Sequence, residues 1–183
     1  MSRVVLPGEP LLDEPTMLRP WRDSDVPDLV RVCQDPDIVR WTAVPPAYSE
    51  ADARTYLLRR HDAILAGTAA PFAVVAATGE ELIGSIALVR IVWEHRRAEV
   101  GYFLSRDARG SGHATRAVGL ICRWGFDSLA LERIDLYAAT ENAPSQRVAE
   151  RAGFEREGIL RSFMRGKGVQ LDMVAFGLLA PAS

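Results

Sequence analysis

The apolar positions change period along the chain, from alternation to a helical spacing and back, with polar or glycine-rich breaks between. Thr16 to Trp21 reads as a first strand, and Asp23 or Ser24 can cap a helix reaching about Cys33, which Asp35-Pro36 ends. Ser49-Glu-Ala-Asp52, an N-cap with an acidic residue three on, opens a second helix to about Ala66. Phe72 to Ala77, Leu82 to Val92 and Arg97 to Leu104 read as three strands, broken by Thr78-Gly79-Glu80-Glu81 and by Glu94-His95-Arg96. Links that short pair neighbouring strands antiparallel. Thr115 to Ser128 then sets Ala117, Leu120, Ile121 and Trp124 on one helical face, made to pack on a sheet. A strand from Arg133 to Ala138, a short helix through Arg151, and strands at about Phe154 to Arg161 and Asp172 to Leu179 follow, the last two joined by a Gly166-Lys-Gly168 turn. The pattern predicts an α+β layer fold. Residues 1 to 15, with Pro7, Pro10 and Pro15, read as a flexible N-terminal arm, and residues 16 to 183 as a single domain.

Composition narrows the partners. The 183 residues are 48% hydrophobic and 25% charged, ordinary for a globular chain able to bury a sizeable core. A net charge of −2 gives no basic field to recruit nucleic acid or an anionic membrane, so neither is an expected partner. No apolar run has the length of a membrane span, and Pro7, Gly8, Glu9 and Pro10 stand where a signal peptide would be apolar. A cytoplasmic location is expected. Cys33 and Cys122 lie in no metal- or redox-type spacing and read as buried small hydrophobes, so no metal is expected. Lys167 is the only lysine; the many arginines are spread over every segment, so a phosphate role is assigned to Arg109 alone.

The chemistry starts at Arg109-Gly110-Ser111-Gly112-His113-Ala114-Thr115, between a strand-like stretch and an amphipathic helix. Two glycines let backbone N–H groups converge without a Cβ in the way, and the first helical turn adds unpaired donors and a positive dipole end. The junction is built for an anion such as a pyrophosphate. It lacks the Gly-Lys-Ser/Thr of a P-loop, and Thr115 stands where the third glycine of a dinucleotide fingerprint belongs. Arg109, Gly112 and Ala114 instead satisfy Arg/Gln-x-x-Gly-x-Gly/Ala.

Downstream come a strand at Arg133 to Ala138, then Glu141-Asn142-Ala-Pro-Ser145, a helix, and Ala152-Gly153-Phe154; upstream, Ala98-Glu99-Val-Gly101-Tyr-Phe103-Leu104 runs into the phosphate loop. Together these segments resemble the GCN5-related N-acetyltransferases over roughly Thr16 to Leu179. With Ser145 three residues after Asn142 and the late Glu157-Gly158-Ile-Leu-Arg161, they look most like the ribosomal-protein alanine N-acetyltransferase branch. The resemblance implies a mixed, mostly antiparallel central sheet of about six or seven strands flanked by about four helices. It also implies acetyl-CoA as cosubstrate, with direct transfer of its acetyl group to a primary amine.

Such transfer requires taking a proton from the amine, stabilising an oxyanion and returning a proton to the leaving thiolate. Alternation along Arg97 to Leu104 puts Glu99 in a semi-buried position, either as proton acceptor or as a charge partner of Arg97 or another arginine. Gly101 marks a strand-splaying bulge or plain packing. Ser145 either caps its helix or, as the resembled branch implies, donates a proton to the CoA sulfur; many relatives use a tyrosine seven residues after the Asn, where this chain has Ala149. The resemblance puts Asn142 and the backbone of Phe103 and Leu104 against the pantetheine arm, and the loop residues Arg109 to Thr115 on the phosphates, His113 through its backbone. The acceptor should enter between Trp41 to Tyr48 and Arg161 to Gln170, segments poor in acidic residues and so unsuited to a polyamine. An α-amine of a protein N-terminus and a small-molecule amine or antibiotic stand as acceptor classes; a non-catalytic acyl-CoA-binding module is a third reading. A second copy of the chain, as a homodimer, stays open as a partner.

Overall fold

The computed structural model describes residues 4 to 78 and 81 to 181. Gly79 and Glu80, the centre of the turn expected at Thr78-Gly79-Glu80-Glu81, lie outside the described residues, as do the first three residues of the expected arm and the last two of the chain. The strands are β1 (Leu11–Asp13), β2 (Thr16–Arg19), β3 (Ala70–Ala76), β4 (Leu82–Val92), β5 (Arg97–Leu104), β6 (Arg133–Ala139), β7 (Glu155–Gly166) and β8 (Val169–Leu179). They form one sheet in the order β1-β2-β3-β4-β5-β6-β8-β7, antiparallel throughout except between β5 and β6. The helices are α1 (Val26–Cys33), α2 (Pro36–Trp41), α3 (Glu50–Leu65), α4 (His113–Leu129) and α5 (Ala143–Arg151). Eight strands and five α-helices among the described residues thus exceed the expected six or seven and four.

Each addition has a local cause. Leu11–Asp13, inside the stretch read as an arm, pairs with β2 through Leu11↔Leu18 and Asp13↔Thr16, and Val4 is buried in the core. Asp35-Pro36, read as a helix stop, also starts a helix: the Asp35 carboxylate accepts the Asp37 N–H at 2.9 Å, and Pro36 takes the first-turn position where its missing N–H costs nothing. The final hairpin is longer than expected, because β7 and β8 keep pairing out to Gly166↔Val169 around a bulge between Leu160 and Met164.

Alternation along β3 splits the core in two. Phe72 and Val74 face α4, where Val118, Ile121 and Trp124 are buried and the Trp124 ring meets Phe72 edge to face at 5.2 Å. Ala73 and Val75 face the opposite layer with Val26, Leu29 and Val32 of α1 and Ala53 of α3. With helices over both faces, β3 is apolar on both sides. Among the described residues no helix is long and apolar enough to cross a membrane.

Candidate active site

β5 and β6 pair through only three positions, Arg97↔Arg133, Ala98↔Ile134 and Glu99↔Asp135, after which both strands continue apart to Leu104 and Ala139. The gap opens a cavity of about 1340 Å³ between them. Every position singled out above as a site residue lines it, except the exposed Ser111. The splay does not come from a bulge at Gly101, which pairs regularly with Ala87. The bulge is on β4 instead, between Val89 and Val92, with Arg90 held at φ 51°.

At the wide end lies the phosphate-type loop. Gly110 and Gly112 have φ of 81° and 83°, which glycine adopts without strain, and Gly112 caps α4 with no side chain bonded to the first turn. No acidic residue occupies that turn, so the helix begins with uncapped donors at His113, Ala114 and Thr115. The expected helix start at Thr115 moves back to His113. The His113 ring is held from below by the buried Thr16 hydroxyl, 2.8 Å from Nδ1, and burial followed by the nearby Arg116 pushes its pKa below the ordinary value. A neutral imidazole is therefore a support for the loop. The Arg109 guanidinium, expected on phosphate, is engaged instead by Asp35 at 2.7 Å, Asp37 at 3.0 Å and the Leu104 carbonyl at 3.0 and 3.2 Å. It ties α2 to the loop.

At the narrow end, the Glu99 carboxylate is 16% exposed and lies 2.6 Å from Arg90 Nη1. Of the arginines expected as its charge partner, Arg90 is the one that pairs with it, while Arg97 pairs with Asp135 of β6 at 3.2 Å. Burial raises the Glu99 pKa, against the pull of Arg90. Between the two ends, Asn142 caps α5: its Oδ1 accepts the Ser145 N–H at 3.2 Å. Ser145 is thus in the first turn rather than the cap, and its hydroxyl lies 3.0 Å from the hydroxyl of Tyr102 on β5. Tyr102 was missed by the sequence reading. Alternation puts it on the face opposite Glu99, a face that shares a core with Val148 and Ala149 of α5.

The segments expected to wall the acceptor reach the cavity in part. Trp41, Val44 and Tyr48 line the cavity, but of Arg161 to Gln170 only Met164 does, joined by Leu171 and Met173. Phe163 turns outward onto Tyr137, with ring centroids 4.9 Å apart. Lys167 at the hairpin tip donates to the Val44 carbonyl, tying β7 and β8 to the 42–48 segment. Among the described residues no group of three or more His, Cys, Asp and Glu side chains is arranged to hold a metal.

A family described as "Acetyltransferase (GNAT) domain" matches residues 16–155. The chain belongs to the GNAT acetyltransferase family. It is 33% identical over 171 residues, 93% of its length, to "Uncharacterized N-acetyltransferase p20" of Bacillus licheniformis, covering 96% of that protein. Two solved structures share the fold: the RimL ribosomal L7/L12 alpha-N-protein acetyltransferase in complex with coenzyme A, at TM-score 0.87 and 18% identity over 96% of this chain and 100% of that one, and the Microcin C7 self immunity acetyltransferase MccE in complex with acetyl-CoA and AMP, at 0.85 and 18% over 92% and 94%.

The protein is an N-acetyltransferase that moves the acetyl group of acetyl-CoA to an amine. Its loop fits that cosubstrate on chemical grounds, since two positive-φ glycines and an uncapped, acid-free helix start suit a diphosphate. When bound, acetyl-CoA supplies an activated thioester carbonyl. At a hundred times its dissociation constant it should stabilise this acetyltransferase by about 2.7 kcal/mol. Gly112→Val should remove that thermal shift, because φ near 83° is strained for valine, and relieving that strain turns the loop's N–H groups away from the diphosphate. An undiminished shift would remove the loop assignment.

Cys33 and Cys122 are buried free thiols whose pKa burial pushes up to about 12, leaving roughly one thiolate in 10⁵ at pH 7. Cys33→Ser and Cys122→Ser, singly or together, should retain activity in a CoA-release assay, any loss following the melting temperature. An acetyl-cysteine found by mass spectrometry would overturn this.

Proposed function

We propose that this acetyltransferase acts on the α-amine of a protein N-terminus by direct transfer, with Glu99 as proton acceptor and Ser145, backed by Tyr102, as proton donor. The observation that carries the donor assignment is the 3.0 Å hydroxyl pair of Ser145 and Tyr102 at the mouth of the β5–β6 gap. Burial pushes the Tyr102 pKa up to about 12, so both hydroxyls carry their protons at neutral pH; as Ser145 gives its proton to the leaving thiolate, Tyr102 gives its own to Ser145, and the phenolate takes a proton back from water before the next turnover. Glu99, semi-buried and of raised pKa, takes the amine proton, directly or through water. Asn142 and the backbone of Phe103 and Leu104 hold the pantetheine arm, with the Leu104 carbonyl already shared with Arg109. The loop from Arg109 through Gly110, Ser111, Gly112, His113 and Ala114 to Thr115 holds the diphosphate through its backbone. Arg109 positions that loop rather than binding phosphate.

The acceptor assignment rests on the lining. Asp37, Asp52 and Glu99 are the acidic side chains of the cavity, and each is engaged, with Arg109, Ser49 and Arg90. Asp52, held only by Ser49, keeps the one uncompensated charge among these, too little to pair the several extra charges of a polyamine, while an open channel walled by Trp41, Tyr48 and Met164 accommodates an extended chain end. Two free thiols support a reducing, cytoplasmic setting. Ile159, Phe163 and Val169, exposed on the β7–β8 hairpin, are the surface a second copy would cover in a homodimer. Peptides with a free N-terminus should be acetylated faster than spermidine or an aminoglycoside, with the acetyl group located on the α-amine by mass spectrometry. Rapid turnover of a small amine with inert peptides would replace this acceptor with the small-molecule class.

A further inference from the structure

The acceptor end of the cavity carries positive charge that neither the thioester nor the phosphates explain. β5 runs about 17 Å from Glu99 to Leu104, where the phosphate loop begins, so the two ends of the cavity are well separated. α3 lies along this axis. Its Tyr56 hydroxyl is 2.7 Å from Ser85, which pairs with Phe103 near the loop end. Beyond its C-terminus, the Gly67 carbonyl accepts from Trp93 and the Thr68 carbonyl from the Ile91 N–H, at the far end of β4. Arg59 and Arg60, about one turn beyond Tyr56, therefore stand toward Arg90 and Glu99, and all four line the same cavity.

The two α3 arginines have no carboxylate within ion-pair distance among the described residues. Arg60 lies over the Tyr56 ring at 4.5 Å, and Arg59 is exposed. Asp52, the acidic residue of the cavity on the same helix, holds the Ser49 hydroxyl at 2.6 Å and its backbone N–H at 2.9 Å. Arg90 pairs with Glu99, yet its own side chain is 65% exposed on the bulge. Guanidinium groups lining one cavity are suited to a carboxylate.

Resting on the N-terminal acceptor reading above, we propose that the acceptor bears a carboxylate close to the reacting amine, held by Arg59 and Arg60 with Arg90 within reach. In a protein N-terminus this is an acidic side chain in the first few residues. Such a carboxylate also competes with Glu99 for Arg90, leaving Glu99 to meet the amine. A cationic acceptor is disfavoured by the same charges.

The test uses peptides that begin with alanine followed by two acidic, two amide or two basic residues, and the amine pair 4-aminobutyrate and butylamine. The acidic peptide should show kcat/KM at least about tenfold above the amide peptide, mostly through KM, and the basic peptide the lowest value. Arg59→Gln and the Arg59→Gln, Arg60→Gln double variant should erase the acidic advantage while the thermal shift given by acetyl-CoA persists. Arg59→Glu should move the preference toward the basic peptide. Equal turnover of the three peptides, or an acidic advantage surviving the double variant, would overturn the inference. Inert peptides with 4-aminobutyrate preferred over butylamine through the same arginines would reject the N-terminal reading and uphold the carboxylate.

Discussion

The Glu99→Gln variant is expected to lose the acidic limb of the kcat/KM profile and about 10²-fold or more of its rate at neutral pH. A carboxylate accepts a proton only when ionised, so kcat/KM climbs as pH rises through the Glu99 pKa. That pKa lies above the ordinary carboxylate value because burial outweighs Arg90 beside it. The same shift has a stability signature. Since the folded state holds this proton more tightly than the unfolded chain, the linked stability is complete below the ordinary value and is lost as pH rises through the raised one. Glutamine cannot ionise, so the variant should show neither the rate limb nor this slope. A Glu99 that served only to pair Arg90 would give a different pair of results: reduced stability in the variant, and a wild-type limb still present. Measuring kcat/KM and melting temperature between pH 4 and 8 reads both.

The phosphate loop was legible because its chemistry is local: two glycines, a helix start and no acid in the first turn are all visible in seven consecutive residues. Strands β3 to β5 were legible for the same reason, being apolar or alternating runs between short breaks. What the sequence hid depends on partners distant in the chain. Tyr102 and Ser145 are 43 residues apart, on a strand and a helix that share one core. The Arg90 bulge looks like ordinary strand in sequence, since a bulge is defined by its partner strand. Arg109 was assigned to phosphate from its place in a motif, whereas Asp35 and Asp37, 74 and 72 residues earlier, take its guanidinium. α2 was lost through one ambiguous dipeptide, Asp-Pro, which ends one helix and opens the next.

Ser145→Ala should lower kcat by roughly 10²-fold with little change in the KM for acetyl-CoA, and with the fold intact. The second half follows from the cap. Asn142 Oδ1 bonds the backbone N–H of residue 145, which alanine keeps, and alanine is a good helix former in a first turn. Asn142→Ala should show the opposite balance, costing about 1 kcal/mol of stability by removing the cap. The rate loss at Ser145 therefore reports its hydroxyl. Tyr102→Phe separates the two members of the pair: it leaves the serine hydroxyl in place and removes the group 3.0 Å behind it. If protons pass from Tyr102 through Ser145 to the thiolate, the two substitutions should be non-additive, the double variant being about as slow as the slower single one. Full additivity would make them independent contributors, and a Ser145→Ala variant that loses stability while keeping kcat would return the donor role to another group.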